Sequence, residues 1–446
     1  MTDASVMLWG RQIGAVTWLD EREVGVFQYA PEFVDSDIQV APLMMPRRTA
    51  PYEFPALSRE SFRGLPGMLA DSLPDKFGNA LIDAWLATQG RLPQSFNPVE
   101  RLCYIGTRGM GALEFQPAIR DAATHRQNIE IASLVELANR VLDERIAMHG
   151  KFSGIDDARA IEDILRVGTS AGGARAKAIL AWNEDTGEFR SGQLPAGGGF
   201  TQWLMKFDGI TGNKDKEIAD PLGYGLTEYA YYLMAVEAGI DMAESRLHRE
   251  GGRAHFMTRR FDRTDAGEKL HMQSLGAMMH FDFNQPAAYS YEQALQTLRR
   301  LGMTMRDVEQ QFRRAIFNVI SRIHDDHVKN IAYLMNKQGE WVLSPAFDIA
   351  YSYNPTGAWT SRHQMSINGK RDGFVLDDLI ALGLSGGLKR ARAVSIIEDV
   401  DAAVGTWRAF AGQAGVGTDS MRKIENAHRR LPLKETGRPN HQRGLS

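Results

Sequence analysis

The sequence predicts an α+β protein of two or three domains, and three observations carry that prediction. Its 446 residues exceed what one ordinary hydrophobic core accommodates. Roughly the first fifty residues are short β-type runs broken by turn residues, whereas helical spacing prevails from about residue 272 onward. Hydrophobic content of 43% and charged content of 24% are those of a globular chain with water around it.

The totals also exclude several classes. No run of about 18 apolar residues occurs, and the start MTDASVMLWGRQ lacks a basic stretch followed by an apolar one, so a cytoplasmic protein with no membrane partner is expected. A single cysteine, Cys103, cannot form an internal disulfide and is expected to be a small core residue. A net charge of -3 gives no overall attraction to nucleic acid. The exception is Met421 to Ser446, seven Lys or Arg against two Glu, expected to be a solvated and partly disordered end.

Taken in order, Val6 to Leu19 reads as a hairpin around Gly10-Arg11-Gln12, and VGVFQYA as a further strand. The Pro-rich APLMMPRRTAPYEFP cannot be regular helix. Leu81, Ala84 and Trp85 then give helical spacing, with Gly90 as a stop, completing an N-terminal module. The glycines of Gly106 to Gly111 do not follow the order of a dinucleotide loop and read as a turn, and Arg120 to Gln127 as a linker. Ser133 with Glu136 forms a capping-box signature ahead of a helix facing Leu134, Leu137, Ala138 and Val141 inward.

Chemistry enters with Val167 to Lys177, VGTSAGGARAK. Small residues let backbone N–H groups approach phosphate oxygens, while Ser170 adds a hydroxyl and Lys177 a charge; the GK[ST] ending of a P-loop is absent. TQWLMKF is a strand placing Lys206 near its end. Thr227 is expected to cap the helix TEYAYYLMAVEAG, with Glu228 in its first turn, Gly239 closing it, and Tyr229, Tyr232, Leu233 and Val236 as its buried stripe. A strand lysine held by a glutamate on a neighbouring helix is an arrangement that grips nucleotide phosphates. After the strand AHFMT, Arg259 to Arg263 sits where a hinge between lobes would offer Phe261 for packing. Arg259, Arg260 and Arg263 are expected to form an ion-pair cluster with Asp262.

In VEQQFRRAIFNVISRI, Phe312, Ile316, Val319, Ile320 and Ile323 fall on one face, a buried helix that delivers His324-Asp325 at its end. The stretch HDDHVKNIAYLMNKQGEWVLSPAFD follows. Ile331 to Met335 and Trp341 to Ser344 read as a hairpin, so Asn330 enters it and Asp348 follows its exit. A carboxylate that orients a hydroxyl, together with oxygen ligands for magnesium, is what phosphoryl transfer requires; Asp325 suits the first role, Asn330 and Asp348 the second. Asp326 is expected to be structural, and His327 to orient the loop. Tyr351 to Gly373 reads as a long mobile substrate-facing loop. Helices around Leu376 to Gly383 and Ala391 to Phe410 close the chain, with Lys389, Arg390 and Arg392 as a small basic cluster between them.

The ordered set LADSLPDKFG, TSAGGARAK, MKF, TEYAYYLMAVEAG, RRFDR, DDHVKN and SPAFD resembles the HipA family of serine/threonine protein kinases, toxin components of type II toxin–antitoxin modules. The resemblance implies a bilobal protein-kinase-like fold: an N-terminal module over 1–125, a kinase N-lobe over 126–263 and a helical C-lobe over 264–446. It implies ATP and Mg2+ as cofactors, Asp325 as the catalytic residue, and Asn330 and Asp348 as magnesium ligands. Lys206 becomes the ATP-phosphate lysine and the loop from Ser170 through Ala171, Gly172, Gly173 and Ala174 to Lys177 the phosphate cover. Glu228, Arg259, Phe261, His327, Lys329, Asn330 and Asp348 complete the nucleotide-binding set. Ser170 is the implied site of inhibitory autophosphorylation, where about two added negative charges would repel ATP phosphates.

The implied partners are a helix-turn-helix antitoxin of the HipB kind, a protein substrate with an aminoacyl-tRNA synthetase as leading candidate, and operator DNA through the antitoxin only. The chain departs from the family pattern at Arg259, where some members have Glu, and at MHFDFNQ, which replaces a Gln-Glu-Asp stretch, so adenine and substrate contacts are not carried over. Ile349-Ala350 after Asp348 removes any basis for DFG-loop behaviour. A small-molecule kinase on the same scaffold and a catalytically silent co-repressor are the alternative readings.

Overall fold

The computed structural model describes residues 2–119, 129–136, 138–139, 175–193, 197–210 and 222–430. The first sheet comprises β1 (Thr2–Leu8), β2 (Arg11–Leu19), β3 (Val24–Tyr29) and β4 (Leu113–Gln116), in the order β3-β2-β1-β4. Gly10, at φ +79°, supplies the left-handed turn of the predicted hairpin. Val6, Leu8, Ile13, Val16 and Phe27 face inward with almost no exposure, as strand alternation requires.

Two helices follow, α1 (Lys76–Thr88) and α2 (Pro98–Ile105). Asp75 caps α1 by accepting the Gly78 N–H at 2.6 Å, and Gly90, at φ +68°, follows its end. Cys103 is buried in the module's core.

The second sheet is antiparallel and five-stranded: β5 (Lys177–Trp182), β6 (Phe189–Ser191), β7 (Thr201–Lys206), β8 (Ser245–Glu250) and β9 (Arg253–Arg259), ordered β6-β5-β7-β9-β8. Helix α3 (Tyr224–Glu237) lies against β8 and β9. On the other face of the sheet, Ala178, Leu180, Trp203 and Met205 share a core with Phe77 and Leu81 of α1. The N-terminal module thus supplies the floor on which this sheet rests.

The third unit holds α4 (Tyr291–Arg300), α5 (Met305–Ser321), α6 (Leu376–Ser385), α7 (Arg390–Gly405), α8 (Trp407–Ala414) and α9 (Thr418–Ala427). Phe312, Ile316, Val319 and Ile320 are buried on the inner face of α5, and Ile323, expected on the same face, is buried just past the helix's end. A small sheet of β10 (His271–Ser274), β11 (Ala332–Met335) and β12 (Trp341–Leu343) contains the predicted hairpin, in the register Tyr333↔Leu343 and Met335↔Trp341. The N-terminal module also grips this unit. Asp71 accepts from the Ser274 N–H at 2.7 Å, Trp341 Nε1 donates to the Gln39 carbonyl at 3.2 Å, and Met335 is buried in the module's own core. The class is α+β, with a sheet-and-helix lobe over a mostly helical one.

Local expectations needed correction at several points. Residues 131–136 are already helical, so Ser133 is not a cap, and its hydroxyl bonds Glu130 instead. Helix α3 starts at Tyr224 after Gly223 rather than at Thr227, and it buries Ala230, Tyr231, Met234 and Ala235 while Val236 is exposed. The helix is apolar nearly all round, so periodicity did not single out a face. The expected helix over Ala391 to Phe410 breaks at Thr406, where the chain turns to bury Trp407 against Tyr231, ring centroids 5.3 Å apart. The start of the basic tail is ordered: α9 runs to Ala427, Arg429 pairs with Asp372, and Arg430 with Asp401 at 2.6 Å. These arginines are neutralised by specific carboxylates that charge counting along the chain does not reveal.

Candidate functional site

Strand alternation in β7 turns Trp203 and Met205 into the core and Lys206 to the opposite face. There Lys206 Nζ donates to Glu228 Oε1 at 2.5 Å and to Asp348 Oδ1. Because α3 starts at Tyr224 rather than Thr227, Glu228 projects from its second turn rather than its first, and it is 2% exposed. Arg175 adds a second cation to it at 3.8 Å, its guanidinium stacked 3.3 Å from the Tyr224 ring centroid. Burial disfavours the Lys206 cation, but Asp348 and Glu228 outweigh that, so its pKa is raised and it stays charged.

Asp348 stands at the exit of the hairpin with φ +54°, a left-handed conformation that aspartate tolerates better than most side chains. Phe347 beside it packs on Phe261, ring centroids 5.5 Å apart. Asp325, Asn330 and Asp348 line one cavity. The Asn330 side chain donates its Nδ2 to the Asp325 carbonyl at 2.8 Å, which commits the amide nitrogen and leaves the amide oxygen as the atom that could bind a cation.

A carboxylate and an amide oxygen fit magnesium, which commonly takes one or two protein oxygens and completes its shell from phosphates and water. Among the described residues no group of three or more His, Cys, Asp or Glu could hold a metal ion by itself. His327 Nε2 lies 3.9 Å from Asp325 Oδ1, and its ring packs 5.8 Å from Phe283, over which Lys329 also sits at 4.7 Å.

Asp326 plays the structural part expected of it. It accepts from Tyr291 Oη at 2.8 Å, His363 Nδ1 at 2.7 Å and the Gln364 N–H at 2.7 Å. Burial would raise its pKa, but these partners, His363 foremost, hold it low. Of the expected ion-pair cluster, Arg260 and Arg263 do meet on buried Asp262, at 2.7 and 2.8 Å, and the Gly111 N–H joins them at 2.7 Å. Arg259 points elsewhere: it pairs with Asp265 at 2.7 Å and Glu244 at 3.6 Å on the surface, because it is the last residue of β9 and alternation turns it away from Asp262.

Lys177 also differs from its expected role as a loop cation. It is the first residue of β5, directly opposite Lys206 in register, and its buried ammonium pairs with Asp75 at 2.9 Å. Asp75 is 102 positions away in sequence, and its cap role was the only local signal it carried. Ser170, Ala171, Gly172, Gly173 and Ala174 lie outside the described residues. Arg175 lies within the stretch VGTSAGGARAK, but nothing in its local sequence assigns it a role; only the fold brings it to Glu228.

A lobe built of a five-stranded antiparallel sheet and one helix, carrying a buried Lys–Glu pair, set over a helical lobe whose loops bring Asp, Asn and Asp to the same cleft, defines a kinase-like fold. Residues 4–116 match the HipA N-terminal domain, and residues 169–407 match the HipA-like C-terminal domain. The chain belongs to the HipA family. Among solved structures, the HipA chain of the Shewanella oneidensis MR-1 toxin–antitoxin system, in complex with HipB and its operator DNA, superposes with a TM-score of 0.64 at 16% identity, covering 95% of each chain. The Helicobacter pylori proinflammatory kinase CtkA gives a TM-score of 0.31 at 10% identity over 51% of this chain and 90% of that one, too low to support an argument. A comparison with curated proteins finds no match. Among the described residues, no helix is long and apolar enough to cross a membrane.

Proposed function

We propose that this chain is an ATP- and Mg2+-dependent serine/threonine protein kinase acting as the toxin of a toxin–antitoxin pair, arresting growth by phosphorylating a cellular protein. The observation that carries the reading is the meeting of Lys206 and Glu228 with Asp348, 142 residues further on, in the cleft that Asp325 and Asn330 line. ATP supplies the phosphoryl group and Mg2+ neutralises charge on the phosphates. Lys206 would bind phosphate oxygens with Glu228 keeping it aimed, Asn330 and Asp348 would hold the metal, and Asp325 would orient the substrate hydroxyl and take its proton.

Ser170 is the proposed site of inhibitory autophosphorylation. An aminoacyl-tRNA synthetase is the leading substrate. The likeness to a HipA seen with HipB and operator DNA supports a small helix-turn-helix antitoxin as partner, with DNA reached through it.

The test is labelled ATP with purified protein and a cell extract. Labelled protein is expected, and Asp325→Ala and Asp348→Ala should each lower transfer about a thousandfold and abolish toxicity. Label appearing only on a metabolite would mean a small-molecule kinase. Toxicity untouched by both substitutions, with no autophosphorylation, would favour the silent co-repressor.

A further inference from the structure

Helix α5 ends at Ser321, and Arg322 follows in a left-handed conformation at φ +64°. The next backbone N–H groups therefore lose their helical acceptors and need others. For His324 and Asp325 the acceptor is one atom: the Ser352 hydroxyl oxygen takes both N–H groups, at 2.8 and 2.9 Å. The two strands of chain are bound in the other direction as well. Asp326 accepts from His363 and Gln364, and His324 Nδ1 donates to the Thr360 carbonyl at 3.0 Å. Ser352 also follows Asp348 by four residues, on the same segment.

We infer that Ser352 is a positioning residue for the proposed transfer. It pins the backbone of Asp325 to the segment that carries Asp348, and so sets the gap across which a substrate hydroxyl and a metal-bound phosphate would meet. The inference rests on the kinase reading and goes beyond it by naming what holds the hydroxyl-orienting carboxylate in place. Without the Ser352 oxygen, two partly buried N–H groups lack an acceptor, and the loop must shift to find water. A displacement of about 1 Å at a reacting group is enough to cost about a hundredfold in rate. Phosphate binding by Lys206, on the opposite wall, is untouched by that shift. The signature is therefore a fall in kcat with little change in KM for ATP.

The experiment is the labelled-ATP assay on wild type, Ser352→Ala and Ser352→Thr, with hydrogen exchange at residues 324 and 325. Ser352→Ala should lose about a hundredfold in kcat, keep KM for ATP within about twofold, and exchange those two amides faster; Ser352→Thr, which keeps the oxygen, should restore all three. If the alanine variant does not fold, Ser352→Cys, a weaker acceptor, should give an intermediate kcat. A wild-type kcat in Ser352→Ala, or a loss that threonine does not rescue, overturns the inference alone. Wild type that transfers no phosphoryl group overturns the kinase reading and this inference together.

Discussion

The two walls of the cleft are held by different forces. On the sheet side, charges fix charges: Lys206 is clasped by Glu228 and Asp348, and Arg175 approaches Glu228 from behind. On the loop side, the Asp325 backbone and the Asn330 amide are held by neutral groups, the Ser352 hydroxyl and the Asp325 carbonyl, while the buried charge of Asp326 is turned toward the segment after the hairpin. The difference follows from what each wall would meet. A wall facing phosphates has to keep a cation ionised despite burial, which needs carboxylates beside it; a wall that orients a hydroxyl needs position more than charge.

That contrast can be broken by experiment. The largest effect is expected from Lys206→Met, which leaves Glu228 buried without its closest cation and removes the proposed phosphate contact. The kcat/KM for ATP should fall about a hundredfold or more, much of it in KM, whereas changes on the loop wall should act through kcat. A loss confined to kcat in Lys206→Met would erase the distinction.

The next effect is on stability, and the two walls should fail at opposite ends of the pH scale. Burial, with His363 adding to it, pushes the His324 pKa down to about 3 from 6.5. As pH falls the unfolded chain takes up this proton first, so the contribution of neutral His324 is complete above pH 6.5 and drains away below it, about 2 kcal/mol by pH 5. Lys206 behaves in reverse. Its pKa is raised, so its contribution is full below 10.5, the unfolded value, and is lost as pH climbs past it. Burial also pushes His255, His271, His280 and His428 down to about 4. Urea unfolding at pH 5, 7 and 11 of wild type and His324→Asn therefore reads both arms, and a wild-type-minus-variant difference that is equal at pH 5 and 7 would contradict the first.

The smallest effect sharpens the contrast by removing burial. Arg390 meets Asp377 at 3.5 Å with both side chains largely exposed. Arg390→Ala should change the unfolding free energy by about 0.5 kcal/mol or less, showing that a charge pair matters here only where water is kept away.

Much of the fold was legible where the pattern is local. The first hairpin, the hairpin after Asn330 and the inner face of α5 follow from alternation, helical spacing and turn residues within one short window. The cleft residues Lys206, Asp325, Asn330 and Asp348 were legible because each sits at or just beyond the end of such an element, and Glu228 because it lies within the first two turns of α3; these ends converge. What escaped was set by distance or by ambiguity. Asp75 meets Lys177, and Ser352 meets Asp325, through contacts that no sequence window spans. Helix α3 is apolar nearly all round, so only the fold decides that Tyr231 and Met234 go in and Val236 goes out. The tail arginines looked like a solvated charge run because Asp372 and Asp401, which neutralise two of them, lie tens of residues upstream.

The anchoring of the second hairpin has a consequence for anyone dividing this chain. Met335 belongs to the core of the first module, and Trp341 hydrogen-bonds Gln39. The β-ribbon bracketed by Asn330 and Asp348 therefore has its outer cover made by the opening residues of the protein. Expressing only the segment after residue 125 would strip that cover and uncap a methionine and a tryptophan at the very spot that sets the proposed metal ligands, Asn330 and Asp348, apart. A fragment without that module should accordingly be sticky and, on the kinase reading, inactive, whereas a chain that keeps residues 2–119 should retain the cover.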